Sequence, residues 1–195
     1  MPRNPGLEAQ LIDIASSSAW FMDALRAAQS LQLASWCIGA GAVRNLVWDE
    51  LCGKRYPSAL ADVDVAYFDA ADMSPERDQQ LQRMLVALRP DVPWEVTNQA
   101  GVHLWFADYF GHAVEPVNTL AEAVATWPEY ATSVGISMNE VGALEVIAPL
   151  GLDDLFSMTV RHNPARANVT NYQARIAQKK YRERWPDVTI IDAEC

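Results

Sequence analysis

An α/β (α+β) fold, a mixed sheet flanked by helices with a C-terminal hairpin and helix extension, is predicted from three observations on this 195-residue sequence. Half of the residues are apolar and 21% are charged, enough apolar surface for a buried core and too little charge for a disordered chain. Short apolar runs at 36–38, 62–68 and 94–97 alternate with longer stretches of helical period. A glycine turn, Gly39-Ala40-Gly41, joins the first of those runs to the helix behind it.

In chain order, Leu7, Leu11, Ile14, Ala15, Met22 and Leu25 recur at helical spacing after Pro5 and predict one long amphipathic helix with a core-facing side. Trp36-Cys37-Ile38 reads as a strand, and 42–51 as a helix closed by Gly53. Residues 62–68 set acids or tyrosine against Val63, Val65 and Phe68, a strand whose two acids share one face. Ser74 before Pro75 supplies an N-cap and an N1 proline, so 75–89 is a helix with Leu81, Met84, Leu85 and Leu88 on one side. Pro93 introduces a strand at 94–97, and 102–106 is read as its neighbour in the sheet. Thr119 with Glu122 makes a capping box for a short helix reaching Trp127. A hairpin pairs 133–138 with 144–147, and 168–185 reads as a basic helix stopped by Pro186. The expected organisation is a core over 1–115 with its N-terminal helix and a C-terminal subdomain over 116–195, or the two as one continuous domain.

The formal charge of −10 and a pI near 4.7 disfavour nucleic acid and anionic membrane as partners. No run approaches the roughly 18 apolar residues of a membrane span, and the mixed residues of 1–15 read as neither signal peptide nor anchor. Cys37, Cys52 and Cys195 are odd in number and lack a CxxC pair, which suits a reducing cytosol; a cytoplasmic protein is expected. Between Arg161 and Arg184, seven basic residues stand against Glu183 alone, a local +6 that leaves −16 on the rest of the chain. Such a helix packs against the acidic body or lines a cleft above a bound polyphosphate. The tryptophans, among them Trp20, Trp48, Trp94, Trp105 and Trp127, read as core contacts with room for one ligand-facing ring.

The chemistry rests on Gly39-Ala40-Gly41 opening a helix together with Asp62-x-Asp64 on the next strand. A glycine turn lets backbone N–H groups approach phosphate oxygens at the positive end of the helix dipole. Two aspartates at i and i+2 of a strand project from one face and can bridge divalent cations held by those phosphates. Arg44 stands where GxGxxG requires its third glycine, and no GK[ST] follows, so neither the dinucleotide nor the P-loop pattern is met. Asp62, Asp64 and Asp69 likewise miss the EF-hand spacing.

The segment GAGAVRNLVWDELCG followed by DVDVAYFD resembles the pattern of the DNA polymerase beta nucleotidyltransferase superfamily, including the GG-x-VRD and DxD elements of CCA-adding enzymes. It is more similar still to a bacterial family of nucleotidyltransferase-like proteins, which also shares WEVTNQAGVH, the Trp127-Pro128 region and APLGLDDLF; the likeness runs from about Trp36 to Pro186. The resemblance implies a nucleotidyltransferase core in which Gly39, Ala40 and Gly41 hold nucleotide phosphates and Asp62 and Asp64 bind two Mg2+ ions. It further implies a third acid on a later strand, for which Glu95 is assigned and Asp69 competes. Ala40-Gly41 departs from the usual GG or GS, and Asn45 stands where CCA-adding enzymes carry aspartate. The implied enzyme transfers a nucleoside monophosphate from a nucleoside triphosphate to an acceptor hydroxyl, of a small molecule or of a protein or RNA end with the small molecule favoured by the acidic charge, releasing pyrophosphate, with Arg44, Lys54 and Arg55 as cationic clamps and Asn45 at the same helix start. Two other readings remain open: a nucleotide- and metal-binding protein of this fold without turnover, and a partner-binding module using the basic helix and the aromatic residues.

Overall fold

The computed structural model describes residues 5–193; Cys195 and the first four residues of the stretch read for a signal peptide lie outside them. The chain opens on two helices, α1 (Pro5–Ser17) and α2 (Ala19–Gln29), where one was expected. The break falls at Ser18, the last of three serines, whose backbone is extended and whose carbonyl accepts from Met22 N–H to start α2. Both helices bury small and branched apolar residues, Leu11 and Ala15 from the first and Phe21, Ala24, Leu25 and Ala28 from the second.

Strand β1 (Trp36–Gly39) is buried along its whole length and forms the middle strand of a five-stranded sheet. Helix α3 (Gly41–Leu51) follows directly. Strand β2 (Val63–Tyr67) lies antiparallel to β1, and after helix α4 (Pro75–Leu88) strand β3 (Trp94–Asn98) lies parallel to β2. The hairpin, β4 (Gly135–Met138) and β5 (Leu144–Ile147), adds antiparallel to the other side of β1. One mixed sheet therefore takes strands from both sides of residue 115, with helices around it.

The stretch 102–106 is no strand. It begins helix α5 (Val102–Phe110), which buries Val102 and Phe106, one helical repeat apart, and leaves Leu104, Trp105 and Tyr109 exposed. Asn98 causes the switch: its side-chain oxygen accepts from Ala100 N–H and its amide nitrogen donates to the Asp69 and Asp72 carbonyls, turning the chain away from the sheet at the end of β3. Half of the expected capping box forms: Thr119 Oγ1 accepts from Glu122 N–H and starts α6 (Leu120–Ala125), while the Glu122 carboxylate accepts from Asn118 N–H, one residue earlier than the Thr119 N–H a full box would use.

A single-turn helix, α7 (Asp153–Phe156), and a small parallel sheet of β6 (Thr159–Val160) and β7 (Thr189–Ile190) complete the body. The basic segment also divides, into α8 (Val169–Lys179) and α9 (Tyr181–Arg184), at Lys180 in left-handed backbone. That turn drops Tyr181 and Trp185 into the core against Trp48, edge to face at 5.9 and 5.2 Å. Trp185 Nε1 donates to Asp49 and Trp48 Nε1 to the Leu155 carbonyl, so the end of the chain is bolted to α3.

Candidate functional site

The glycine turn between β1 and α3 is shaped by its neighbours. A Cβ on Gly39 would lie 2.6 Å from the Trp127 ring and 2.9 Å from the Val134 carbonyl oxygen, so only glycine fits. Ala40 adopts φ 50° and ψ −119°, a conformation ordinarily left to glycine. It is held by its N–H on the Val134 carbonyl and by its own carbonyl, which accepts from Arg44 N–H. No side chain caps the first turn of α3. A Cβ on Gly41 would stand 3.8 Å from Asp62 Oδ1, which places the helix start against the first acid.

Asp62 precedes β2 and Asp64 lies within it. Parallel pairing sets Asp64 beside Glu95 in register, and Asp62, Asp64 and Glu95 line one cleft with Ala40 and Gly41. Burial, then the charges of Asp62 and Glu95, push the Asp64 carboxyl up to about 7, even though Arg175 and Lys179 pull the other way. Asp69 does not reach this cleft: its Oδ1 accepts from Ala71 N–H and shapes its own loop.

Arg175 and Lys179, four residues apart on one face of α8, form the opposite wall. Arg175 Nε donates to Glu129 at 3.0 Å, and the Tyr181 hydroxyl donates to the same oxygen at 2.7 Å. Burial opposes the Arg175 charge, but Glu129 and Tyr181 outweigh it and hold the guanidinium more firmly cationic. Burial and the neighbouring Arg175 lower Lys179. Glu129 is fully buried and carried no sequence signal beyond its place next to Trp127-Pro128. Arg175 and Lys179 were detectable only as members of the basic run, one of whose two expected placements was above such a cleft.

The other expected residues lie elsewhere. Arg44 is buried among Trp48, Tyr181 and Trp185, its carbon 5.0 to 5.6 Å from their ring centres, and Nη2 donates to Asn45 Oδ1 at 2.8 Å. Both contribute to a hollow on the Gly41 side of the cleft. Burial lowers Arg44, countered by Tyr181 and Glu129. Lys54 and Arg55 face away from the acids, a correction to their expected place beside the phosphates. Lys54 pairs with Asp49 at 3.2 Å and donates to Ser58, and Arg55 lies over Tyr56. The intervening loop is long enough that charge type says nothing of direction. Asp154, at the start of α7, is held in a two-pronged pair by Arg161, as expected of a structural acid.

Three carboxylates in one cleft are hard oxygen donors of the kind Mg2+ takes, and the Asp62 and Glu95 charges that add to burial in raising Asp64 are ones a cation would offset. The donor set therefore fits in chemistry, although among the described residues no three acid, histidine or cysteine side chains yet converge as a metal site. No helix among the described residues is long and apolar enough to cross a membrane.

A family model described as nucleotidyltransferase matches residues 26–190. A solved structure described as revealing a CCA-adding enzyme head domain superposes with a TM-score of 0.80 at 27% identity, covering 95% of this chain and 96% of that one. A tRNA-processing enzyme in an apo form gives a TM-score of 0.48 at 14% identity over 98% of this chain and 45% of its own. Another structure, a tRNA-processing enzyme with CTP, gives 0.46 at 17% identity over 86% and 43%. Comparison with curated proteins gives no match.

Proposed function

The chain belongs to a nucleotidyltransferase family, and on that footing we propose that it transfers a nucleoside monophosphate from a nucleoside triphosphate to the hydroxyl of a small-molecule acceptor. The observation that carries this reading is the register of β2 on β3, which sets Asp64 beside Glu95 in the cleft that Asp62 and Gly41 share. In the reaction the acceptor oxygen bonds to the α-phosphorus, the bond from that phosphorus to the bridging oxygen breaks, and pyrophosphate leaves while the hydroxyl proton passes to a cleft carboxylate. Gly41 and the uncapped start of α3 receive phosphate oxygens, and Lys179 and Arg175 add charge from α8. Glu129 and Tyr181 keep Arg175 aimed at the cleft. Asp62, Asp64 and Glu95 would hold Mg2+, which when bound neutralises triphosphate charge and makes the acceptor hydroxyl more acidic. The acidic body argues for a small acceptor rather than a polynucleotide, and the cytoplasm is the compartment proposed.

Calorimetry with a non-hydrolysable triphosphate and Mg2+ tests the binding half of this reading. Binding is expected for the wild type and lost in Asp62→Ala and Asp64→Ala; unchanged affinity in both variants defeats the assignment. A second reading, a nucleotide-binding protein without turnover, is favoured by Ala40, which stands in the glycine turn where the usual pattern has GG or GS. Pyrophosphate release with any acceptor excludes that second reading.

A further inference from the structure

Next to the acid cleft, and sharing Thr97, Gln99, Trp127, Pro128 and Arg175 with it, opens a larger hollow of about 640 Å³. That is the size of a small-molecule site. Its walls are aromatic: Trp105, Phe106, Tyr109 and Phe110 from α5 on one side and Trp127 on the other. Tyr109 is 79% exposed and Trp105 and Phe110 are also exposed, although a folded chain would normally bury such a group of rings.

One wall residue is out of keeping with this lining. Arg166 is buried, lies 5.9 Å from the centre of the Phe106 ring, and donates from Nη2 to the Glu115 carbonyl at 2.9 Å. Among the described residues it has no carboxylate partner, whereas the other arginine in the lining, the partly buried Arg175, has Glu129. Burial lowers its affinity for the proton only in degree, so a cation remains at the wall of an apolar hollow with one carbonyl for company. Asn171, also in the wall, has a side-chain nitrogen without a hydrogen-bond partner.

A second, more polar hollow adjoins the cleft through Gly41, Asp62 and Lys179 and carries Lys180 and Arg184. The acids thus sit between a cationic hollow at the glycine turn and an aromatic one at α5. In-line displacement at phosphorus needs the attacking oxygen and the leaving pyrophosphate on different sides of the reacting atom. Triphosphate oxygens suit the cationic side.

We infer that the α5 hollow is the acceptor site, and that the acceptor is a small, flat, largely apolar molecule bearing a hydroxyl and an anionic group, with Arg166 binding the anion and the rings stacking on its body. This rests on the nucleotidyltransferase reading above.

The test uses the full chain and the probe 8-anilinonaphthalene-1-sulfonate, with N-phenyl-1-naphthylamine as its uncharged counterpart, followed by fluorescence. The sulfonate should bind saturably at one equivalent and remain bound when a non-hydrolysable triphosphate and Mg2+ are added. Arg166→Gln should weaken the sulfonate roughly tenfold or more, the worth of a hydrogen bond to a charged group, and the uncharged probe by less than about twofold. Tyr109→Ala, at a position too exposed to be needed for folding, should weaken both probes, and Leu104→Ala, exposed on the same helix outside the hollow, neither. Equal losses of both probes in Arg166→Gln, unsaturable binding, or no effect of Tyr109→Ala overturns the inference. Displacement of the probe by a triphosphate that itself binds gives the hollow to the nucleobase and overturns this assignment while leaving the function reading intact. Failure of the triphosphate to bind at all defeats that reading, and the acceptor role falls with it.

Discussion

Replacing Asp64 by asparagine should make the metal-free protein more stable, and only at the upper end of the pH range. In the unfolded chain the carboxyl titrates near 3.8, whereas in the folded cleft it is pushed up to about 7 by burial and by Asp62 and Glu95. Between those values the folded protein binds more protons than the unfolded one, so stability falls as pH rises through the window and the whole penalty stands above it. The full gap is worth roughly 4 kcal/mol. Water at the open side of the cleft screens part of this, leaving about 2 kcal/mol, or on the order of 4–8 °C in melting temperature for a chain of this length. Thermal melts in chelator, followed by circular dichroism, should show Asp64→Asn above the wild type by this margin at about pH 8 and level with it at about pH 4. Adding Mg2+ at the higher pH should raise the wild type and leave the variant nearly unmoved. An offset independent of pH, or no stabilisation at the higher value, refutes the argument that charge in this cleft opposes folding.

Ala40→Gly should raise the melting temperature by relieving φ 50°, ψ −119°, with a net gain of about 1 kcal/mol after glycine's extra unfolded entropy, and should leave triphosphate affinity in place; a lower melting point counts against strain at the turn. Glu129→Ala removes the buried partner of Arg175 and Tyr181 and should cost about 3 kcal/mol in urea unfolding, while a loss under about 0.5 would mean the network carries little. Lys54→Ala and Arg55→Ala should bind the non-hydrolysable triphosphate as the wild type does in calorimetry, since both side chains are turned away from the acids; a marked loss for either would bring that loop to the phosphates.

What could be read in the chain alone follows from how local each determinant is. Ser74-Pro75, the Thr119 cap and the alternation of Asp62 to Val65 are each complete within a few residues, and each element begins within one residue of its expected start. The run Val102-His103-Leu104-Trp105-Phe106 is apolar on both the two-residue and the helical period. Only the pairing of Val102 with Phe106 under the side-chain cap from Asn98 resolves it as helix. Lys180 breaks the basic helix because Trp185 must reach Trp48, a demand that comes from residues well over a hundred positions away. The same distance hid half of the cleft. In sequence Glu95 has only its strand setting and order over its competitor Asp69, and the parallel register makes Glu95 the neighbour of Asp64. Nothing near Asp62 or Asp64 announces Arg175 and Lys179.

The placement of those two cations changes what the net charge of −10 means. Two members of the +6 segment, Arg175 and Lys179, stand in the wall of the acid cleft rather than on a separate arm, so part of the division of charge along the chain is cancelled in space. The cancellation stops short at the point that matters. Arg175 is shared with Glu129, and Lys179 is weakened by burial and by Arg175, so burial first, and then the negative field of Asp62 and Glu95, hold the Asp64 proton to about 7. A bare polyphosphate entering on the Gly41 side would meet that field, which the uncapped start of α3 offsets by only about half a charge. A polyphosphate accompanied by a divalent cation would meet three carboxylates as ligands instead. Under the proposed function, the acidity that argues for a small acceptor rather than a polynucleotide is thus the same property that would make nucleotide binding in this cleft depend on a metal.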